Sequence, residues 1–314
     1  MSRNWQGIWI AAIAAAIAAL AIWGLAENAR LFALTTLNGL TLAALYFLVA
    51  SGFTLVFGLL RNVNLAHGSL YLLGAYIGWV VADKSGSWFM GVGAGFFSTA
   101  LLGLILQVGV FRFMQGEEMR QTMVTIGLSI VAADIMLWIW GGEVYQFDPP
   151  SFISGSTTLP IVNKYSTYRL VLLAASVLIG VGLWFFLTKT RIGMMIRAGV
   201  DDRGMLAASG INVQLVFAVT FTIGAGLAGF AGVVGGSALS ITPGEDTRYL
   251  LASLVVVIVG GMGSVIGAAI GAVLIGVAET FGLAYAPTYS VVFTFVIMAM
   301  VLAFRPQGIL GARA

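Results

Sequence analysis

In a chain this apolar, the few polar side chains that interrupt the hydrophobic runs carry whatever chemistry it does. Ser51, in Val49-Ala50-Ser51-Gly52, and His67, the single histidine, supply the residue types of a nucleophile and its base. No oxyanion donors accompany them. The alternative is a serine bonded back to its own helix and a histidine that packs or caps. Asp134, in Ala132-Ala133-Asp134-Ile135, and Glu279, in Val277-Ala278-Glu279-Thr280, are the ionisable residues inside apolar runs. Carboxylates at membrane depth serve ion-coupled transport and channels, though two make a thin relay, and a hydrogen bond to a neighbouring helix is the other use. The string Arg61-Asn62-Val63-Asn64-Leu65-Ala66-His67-Gly68-Ser69 divides two apolar runs where a two-residue turn would do. Its side chains either face a cavity or cap the next helix, with Asn64 as N-cap. There is no G-x-x-x-x-G-K-[ST] stretch to cradle nucleotide phosphates, so a nucleotide-driven process would need a separate subunit. With no cysteine, disulfides, thiolate metal sites and cysteine nucleophiles drop out together.

The elements that must position these residues follow from composition. The 314 residues are 60% hydrophobic and 9% charged, against roughly 25% charged in a soluble domain. At about 20 apolar residues per spanning helix, such a chain holds about eight to ten spans and short connections. It reads as an all-α, polytopic transmembrane bundle forming a single domain over 1–314. Apolar runs place spans at 8–26, 34–60, 64–82, 88–110, 121–141, 168–188, 214–236, 249–261, 264–283 and 289–304. The run at 8–26 is longer than the h-region of a signal peptide, about 7 to 15 residues, and is read as the first span. The run at 249–261 is too short to cross a core of about 30 Å as a straight helix. Residues 249–283 are therefore read as a broken, re-entrant element around Gly260-Gly261-Met262-Gly263-Ser264, of the kind that marks solute sites in transporters.

Alternation of ten segments from an inner N-terminus puts Arg3, Arg61, Arg112, Arg120, Lys189, Arg191, Arg197, Arg203, Arg305 and Arg313 on one side, ten of the 15 Lys and Arg residues. Arg30, Lys84, Lys164, Arg169 and Arg248 fall on the other. That bias predicts both termini in the cytoplasm, and the basic surplus reports topology rather than nucleic-acid binding. An outer loop at 142–167 carries Asp148-Pro149-Pro150 and a Gly/Ser/Thr cluster, which read as turns. The inner loop at 189–213 is the most charged segment. Asp201-Asp202 can cap a helix that runs from Arg203 to Ser209 and is closed by Gly210. Such a short helix between two spans is either an ordinary basic loop or a handle for a separate motor. Many of the 41 glycines recur three or four apart, a spacing that lets helices pack closely in lipid.

Further residues carry a resemblance to a family. Asn38-Gly39-Leu40, Gly52-Phe53-Thr54-Leu55-Val56-Phe57-Gly58, Asn64-Leu65-Ala66-His67-Gly68 and Gly74-Ala75-Tyr76 resemble the permeases of branched-chain amino acid ABC importers. Arg197-Ala198, Asp201-Asp202, Ala207, Gly210-Ile211-Asn212-Val213, the Gly260 to Ser264 break, Glu279 and Phe304-Arg305-Pro306-Gln307-Gly308-Ile309-Leu310-Gly311 continue it in order. The resemblance runs from about residue 35 to 311. It implies a bacterial-type cytoplasmic (inner) membrane, a second homologous permease or a second copy of this chain, two ATPase subunits that use ATP and magnesium, and an extracytoplasmic solute-binding protein. No cofactor is expected in this chain, and no catalytic residue.

On the same resemblance, Arg197, Ala198, Asp201, Asp202, Arg203, Ala207, Gly210 and Ile211 form the coupling element that docks on an ATPase. Asn38, Asn64, His67, Gly68, Gly260, Gly261, Gly263, Ser264 and Glu279 are the pathway candidates. Asp134 matches nothing in the family pattern and receives no role from it. Relatives also serve urea, short amides and aromatic acids, and no residue here selects among these solutes. The alternatives that the residues themselves raise are an ion-coupled secondary transporter or channel, a hydrolase, and an assembly subunit with no pathway.

Overall fold

Inside a bilayer every backbone N–H and C=O must find a partner within the protein, which leaves the helix as the default. The computed structural model describes residues 3–60, 63–146 and 148–311, and within these every side chain except those of 3–27, 59, 60, 201 and 291. Eleven α-helices make up nearly all of it: α1 (Arg3–Leu60), α2 (His67–Ser85), α3 (Trp88–Gly109), α4 (Glu118–Trp140), α5 (Thr167–Lys189), α6 (Arg191–Asp201), α7 (Arg203–Ala208), α8 (Val213–Ala238), α9 (Glu245–Gly260), α10 (Val265–Tyr285) and α11 (Ser290–Phe304). Among the described residues six helices are long and apolar enough to cross a membrane: Asn28–Gly58, α3, α4, α5, α8 and α10.

Helix α1 has 58 residues, nearly three times what a hydrocarbon core of about 30 Å accommodates at 1.5 Å per residue. It breaks at Asn28, whose backbone is non-helical (φ −157°, ψ 89°). The Asn28 side-chain oxygen accepts the N–H of Leu31 at 2.9 Å and so caps the second leg. This division matches the two separate spans expected at 8–26 and 34–60, although the side chains of the first lie outside the described residues. Arg61 and Asn62 of the polar string, and Arg313, also lie outside them.

The second leg of α1 and helix α8 form the centre, with 83% and 67% of their most apolar windows buried, whereas α4, at 11%, is peripheral. Glycine brings the central helices together. A Cβ on Gly224 of α8 would stand 2.8 Å from the carbonyl oxygen of Gly52 on α1, and one on Gly74 of α2 would stand 2.8 Å from that of Gly229 on α8. A side chain at these points would hold the backbones apart, and dispersion between closely approaching helices is what substitutes for the hydrophobic effect in lipid. Between α1, α2 and α9 the rings of Tyr46, Tyr71 and Tyr249 fill the core, the last two 4.2 Å apart between centroids.

The expected break in 249–283 is present as two helices, α9 and α10, joined by Gly261-Met262-Gly263-Ser264. Gly261 (φ +109°) and Gly263 (φ +80°) take backbone conformations that favour glycine. The Ser264 hydroxyl then caps α10 by accepting from the Gly267 N–H at 3.0 Å. The loop at 142–167 contains more regular structure than its turn residues suggest. Strands β1 (Ser156–Thr157) and β2 (Tyr165–Ser166) pair antiparallel, and Tyr145 exchanges backbone hydrogen bonds with Ile241. Those pairings satisfy backbone groups that turns alone would leave open.

Candidate functional site

The polar residues singled out above fall into three groups at different places in the bundle. The first gathers where α1, α5, α9 and α10 meet. Arg169, in the first turn of α5, donates from Nη1 to the Asn38 side-chain oxygen at 2.7 Å. The Tyr165 hydroxyl donates to the same oxygen at 3.3 Å and lies 2.9 Å from the Thr41 hydroxyl. Across from these, Arg248 in the first turn of α9 pairs with Glu245 at 3.4 Å and with Glu279 of α10 at 3.8 Å. The other oxygen of Glu279 accepts the Tyr46 hydroxyl at 2.7 Å, so Glu279 ties α1, α9 and α10 together. Between the two arginines lies a pocket of about 330 Å³, lined by Asn38, Thr41, Leu42, Leu45, Arg169, Ala238, Leu239, Ser240, Glu245 and Arg248. Sequence reading supplied Asn38 and Glu279 for this site. It missed Tyr46, Thr41, Tyr165, Arg169, Glu245 and Arg248.

The second group is packed rather than open. The His67 ring is fully buried, with its Nε2–H donating to the Val49 carbonyl at 3.1 Å and its edge against Phe53. Asn64 is buried and accepts from the Ala66 N–H at 3.1 Å, which caps the turn before α2 rather than the helix itself. A Cβ on Gly68 would overlap the carbonyl oxygen of Asp246, so here α2 and α9 touch at their first turns. Ser51 donates to the Leu48 carbonyl at 2.7 Å, back into its own helix. The serine and the histidine are thus each committed to a different backbone carbonyl, and no nucleophile–base hydrogen bond joins them.

The third group lies at the far end of α1. Gly58 is 20 residues beyond Asn38, about 30 Å along the helix, and a Cβ there would meet Gly263 at 3.0 Å and Val200 of α6 at 3.8 Å. The Gly260 to Ser264 break is held in place by the chain after α11. Ile309 and Leu310 donate backbone N–H groups to Val259 and Gly260, each at 2.9 Å. Of the pathway candidates, Gly263 therefore lies next to Val200 of α6, while Gly260 packs on Gly267 of α10 and Gly261 on Gly311 after α11, none of them beside Asn38.

Next to that break, the charged loop forms two helices instead of one. Thr190 caps α6 by accepting from Gly193 N–H at 3.0 Å. The chain turns at Asp202, in an extended conformation, and the Asp202 carboxylate caps α7 by accepting from Gly204 and Met205 N–H at 2.8 and 3.0 Å. Helix α7 ends at Ala208 and Gly210 follows at φ +78°, close to the expected Arg203 to Ser209 helix. The expected single element from Arg197 to Ile211 is broken because Asp202 serves as cap. Ile196 and Leu206 are buried with Val216 and Phe217 of α8, and the Arg203 guanidinium lies over the Phe217 ring at 5.2 Å. Arg197, Ala198, Asp202, Ala207 and Gly210 face outward together with Met205, which is 67% exposed, while Ile211 is half-buried. The Asp201 side chain lies outside the described residues.

Asp134 is exposed on α4, and among the described residues no hydrogen bond or ion pair links it to Glu279. Nor do the described residues include a cluster of three or more His, Asp or Glu side chains able to hold a metal ion.

Residues 35–302 match the family model described as the branched-chain amino acid transport system / permease component. The high-affinity branched-chain amino acid transport system permease protein BraD of Pseudomonas aeruginosa is 30% identical over 87% of this chain and 94% of its own length. The permease protein LivH of Salmonella typhimurium is 30% identical with the same coverage. LivM of that organism is 26% identical over 86% of this chain and 68% of its own length. No solved structure matches the chain.

Proposed function

This chain belongs to the family of branched-chain amino acid transport permease components, and from that membership we propose that it forms one half of the translocation path of an ATP-driven importer. The proposed cargo is leucine, isoleucine, valine or a solute of similar size, as the names of its relatives suggest. A second, homologous permease completes the path. That Salmonella typhimurium has two different relatives of this chain, LivH and LivM, supports a hetero-pair over a pairing with itself. Two ATPase subunits hydrolyse ATP with magnesium on the cytoplasmic face, and an extracytoplasmic binding protein delivers solute at the opposite one. In this reading both termini and the α6–α7 pair are cytoplasmic, and the pocket between Arg169 and Arg248 faces outward.

The observation that carries this reading is the construction of α6–α7. Its apolar side chains fasten it to α8 while Arg197, Ala198, Met205 and Ala207 stand exposed, and Val200 lies next to the close approach of Gly58 and Gly263. A force on the free face thus reaches α1 and the α9–α10 break through van der Waals contact. ATP binding draws the two ATPases together, the α6–α7 pairs transmit that displacement, and the path between the permeases changes the side to which it opens.

The test is ATP hydrolysis by the reconstituted complex with and without solute-loaded binding protein. Ala207→Arg puts a bulky cation on the exposed face of α7 and leaves the anchors intact. It is expected to reduce the stimulation at least tenfold. Uptake by this chain without ATPase subunits would instead establish an ion-coupled carrier, with Glu279 and Asp134 as the residues to pursue.

A further inference from the structure

We propose that the pocket between α1, α5 and α9 binds the zwitterionic head of an aliphatic α-amino acid, its carboxylate held by Arg169 and Arg248 and its ammonium by Glu245. This rests on the permease reading and deepens it by giving the permease, and not only a binding protein, a hand in selection.

Arg169 is the first reason. Its guanidinium is half-buried and oriented by Asn38 at 2.7 Å, yet among the described residues no carboxylate comes within ion-pairing distance of it. A guanidinium carries five N–H donors in a fixed fork suited to a carboxylate. Asn38 engages one of them, and the side chain lines the pocket. A cation taken partly out of water without an acidic partner is costly to leave alone, and a ligand carboxylate supplies what the fold omits.

The second reason is that the opposite wall carries both signs. Arg248 is held loosely, at 3.4 Å from Glu245 and 3.8 Å from Glu279, and it is exposed enough to turn toward a ligand. Glu245 lines the pocket beside it. A simple anion would meet Glu245, and a simple cation would meet two arginines. A molecule carrying both charges, on two groups bonded to one carbon, satisfies the arginines and Glu245 at once. Two cations and two anions, counting Glu279 behind Arg248, leave the cluster formally neutral, as suits a ligand of no net charge.

The third reason is size and the remaining lining. About 330 Å³ is at the small end of the range of roughly 300–1,000 Å³ for small-ligand sites. Beside Thr41 and Ser240, the wall carries Leu42, Leu45, Ala238 and Leu239, which offer an aliphatic chain an apolar bed.

The experiment is equilibrium binding of tritiated L-leucine to the permease–ATPase complex in lipid nanodiscs without binding protein. Competition is with 4-methylpentanoate, which lacks the amine, and 3-methylbutylamine, which lacks the carboxylate. Each single-charge analogue is expected to compete at least tenfold more weakly than unlabelled leucine. Arg169→Gln is expected to weaken leucine binding at least tenfold. Asn38→Asp, which places a carboxylate against Arg169 from within, should do the same in a complex that assembles normally. Glu245→Gln should improve 4-methylpentanoate relative to leucine, a change of preference that loss of folding does not produce. Analogues that compete as well as leucine, or wild-type binding by both Arg169→Gln and Asn38→Asp, overturn the proposal. Absence of saturable leucine binding in a complex that still drives ATP-dependent leucine uptake also overturns it and leaves the permease reading standing. Uptake that needs no ATPase defeats the permease reading itself.

Discussion

At one end of the bundle Asn38 of α1 engages Arg169 of α5, and Arg248 of α9 engages Glu245 of the same helix and Glu279 of α10; at the other, α6 and α7 bury Ile196 and Leu206 and turn Arg197, Asp202 and Met205 outward. The first arrangement exists only when helices from distant parts of the sequence, α1, α5 and the α9–α10 pair, have come together. The second is assembled almost entirely from hydrogen bonds within four residues, then pinned to α8. A polar cluster made of tertiary contacts responds to any shift between its helices, whereas a locally capped pair moves as a unit. In the proposed reading the two ends serve different tasks, one sensing and holding, the other transmitting.

The largest expected effect comes from separating the two ends. Leu206→Asp buries an unpaired carboxylate among Ile196, Val216 and Phe217 and should detach α7 from α8. Stimulated ATP hydrolysis is expected to fall more than tenfold while leucine binding at the Arg169 pocket stays within about twofold. A parallel fall in both would show that the two ends are not built independently.

Next in size is Tyr46→Phe, which removes the 2.7 Å hydrogen bond to the Glu279 carboxylate. Hydrogen bonds to charged groups contribute about 1.5–3 kcal/mol, so thermal melting in detergent should shift downward by several degrees. An unchanged melting point would mean that Glu279 relies on Arg248 alone. Asp202→Ala removes a cap accepting two N–H groups and is expected to cost about 0.5–2 kcal/mol locally. It should be read as faster amide hydrogen exchange confined to residues 203–208, with the melting point unchanged. The smallest effect belongs to Glu117→Gln, whose ion pair with Arg120 is more than half exposed on both sides and should alter stability by less than about 1 kcal/mol.

The same contrast explains what the sequence made legible. The cap at Asp202, the stop at Gly210 and the break between Gly260 and Ser264 are signalled by residues within a few positions of the feature, and each was expected close to where it lies. The pocket was not legible, because Arg169 meets Asn38 across 131 positions and Tyr46 meets Glu279 across 233. No periodicity reports such pairings. One local clue existed: Arg169 and Arg248 each stand in the first turn of a helix, where the macrodipole disfavours a cation. Arg248 meets that field with Glu245 and Glu279 beside it, and Arg169 with the Asn38 oxygen. His67 shows the converse. Its singularity in the sequence suggested chemistry, yet the folded chain encloses it completely and gives it a carbonyl to hold. Asn28 is a third case, since apolar spacing separated the spans on either side without showing that one asparagine side chain would start the second.

The glycine contacts at Gly52 with Gly224 and Gly74 with Gly229 have a consequence for entropy. Fastening two helices through long side chains freezes rotamers, at a cost that reaches about 1.5–2 kcal/mol for a side chain such as methionine and is zero for glycine. A backbone-to-backbone seam has no rotamers to freeze at its contact points. Helices joined in this way can part and close again without side chains having to be reordered at the seam, and each closure returns to the same register because the backbone shape alone defines it.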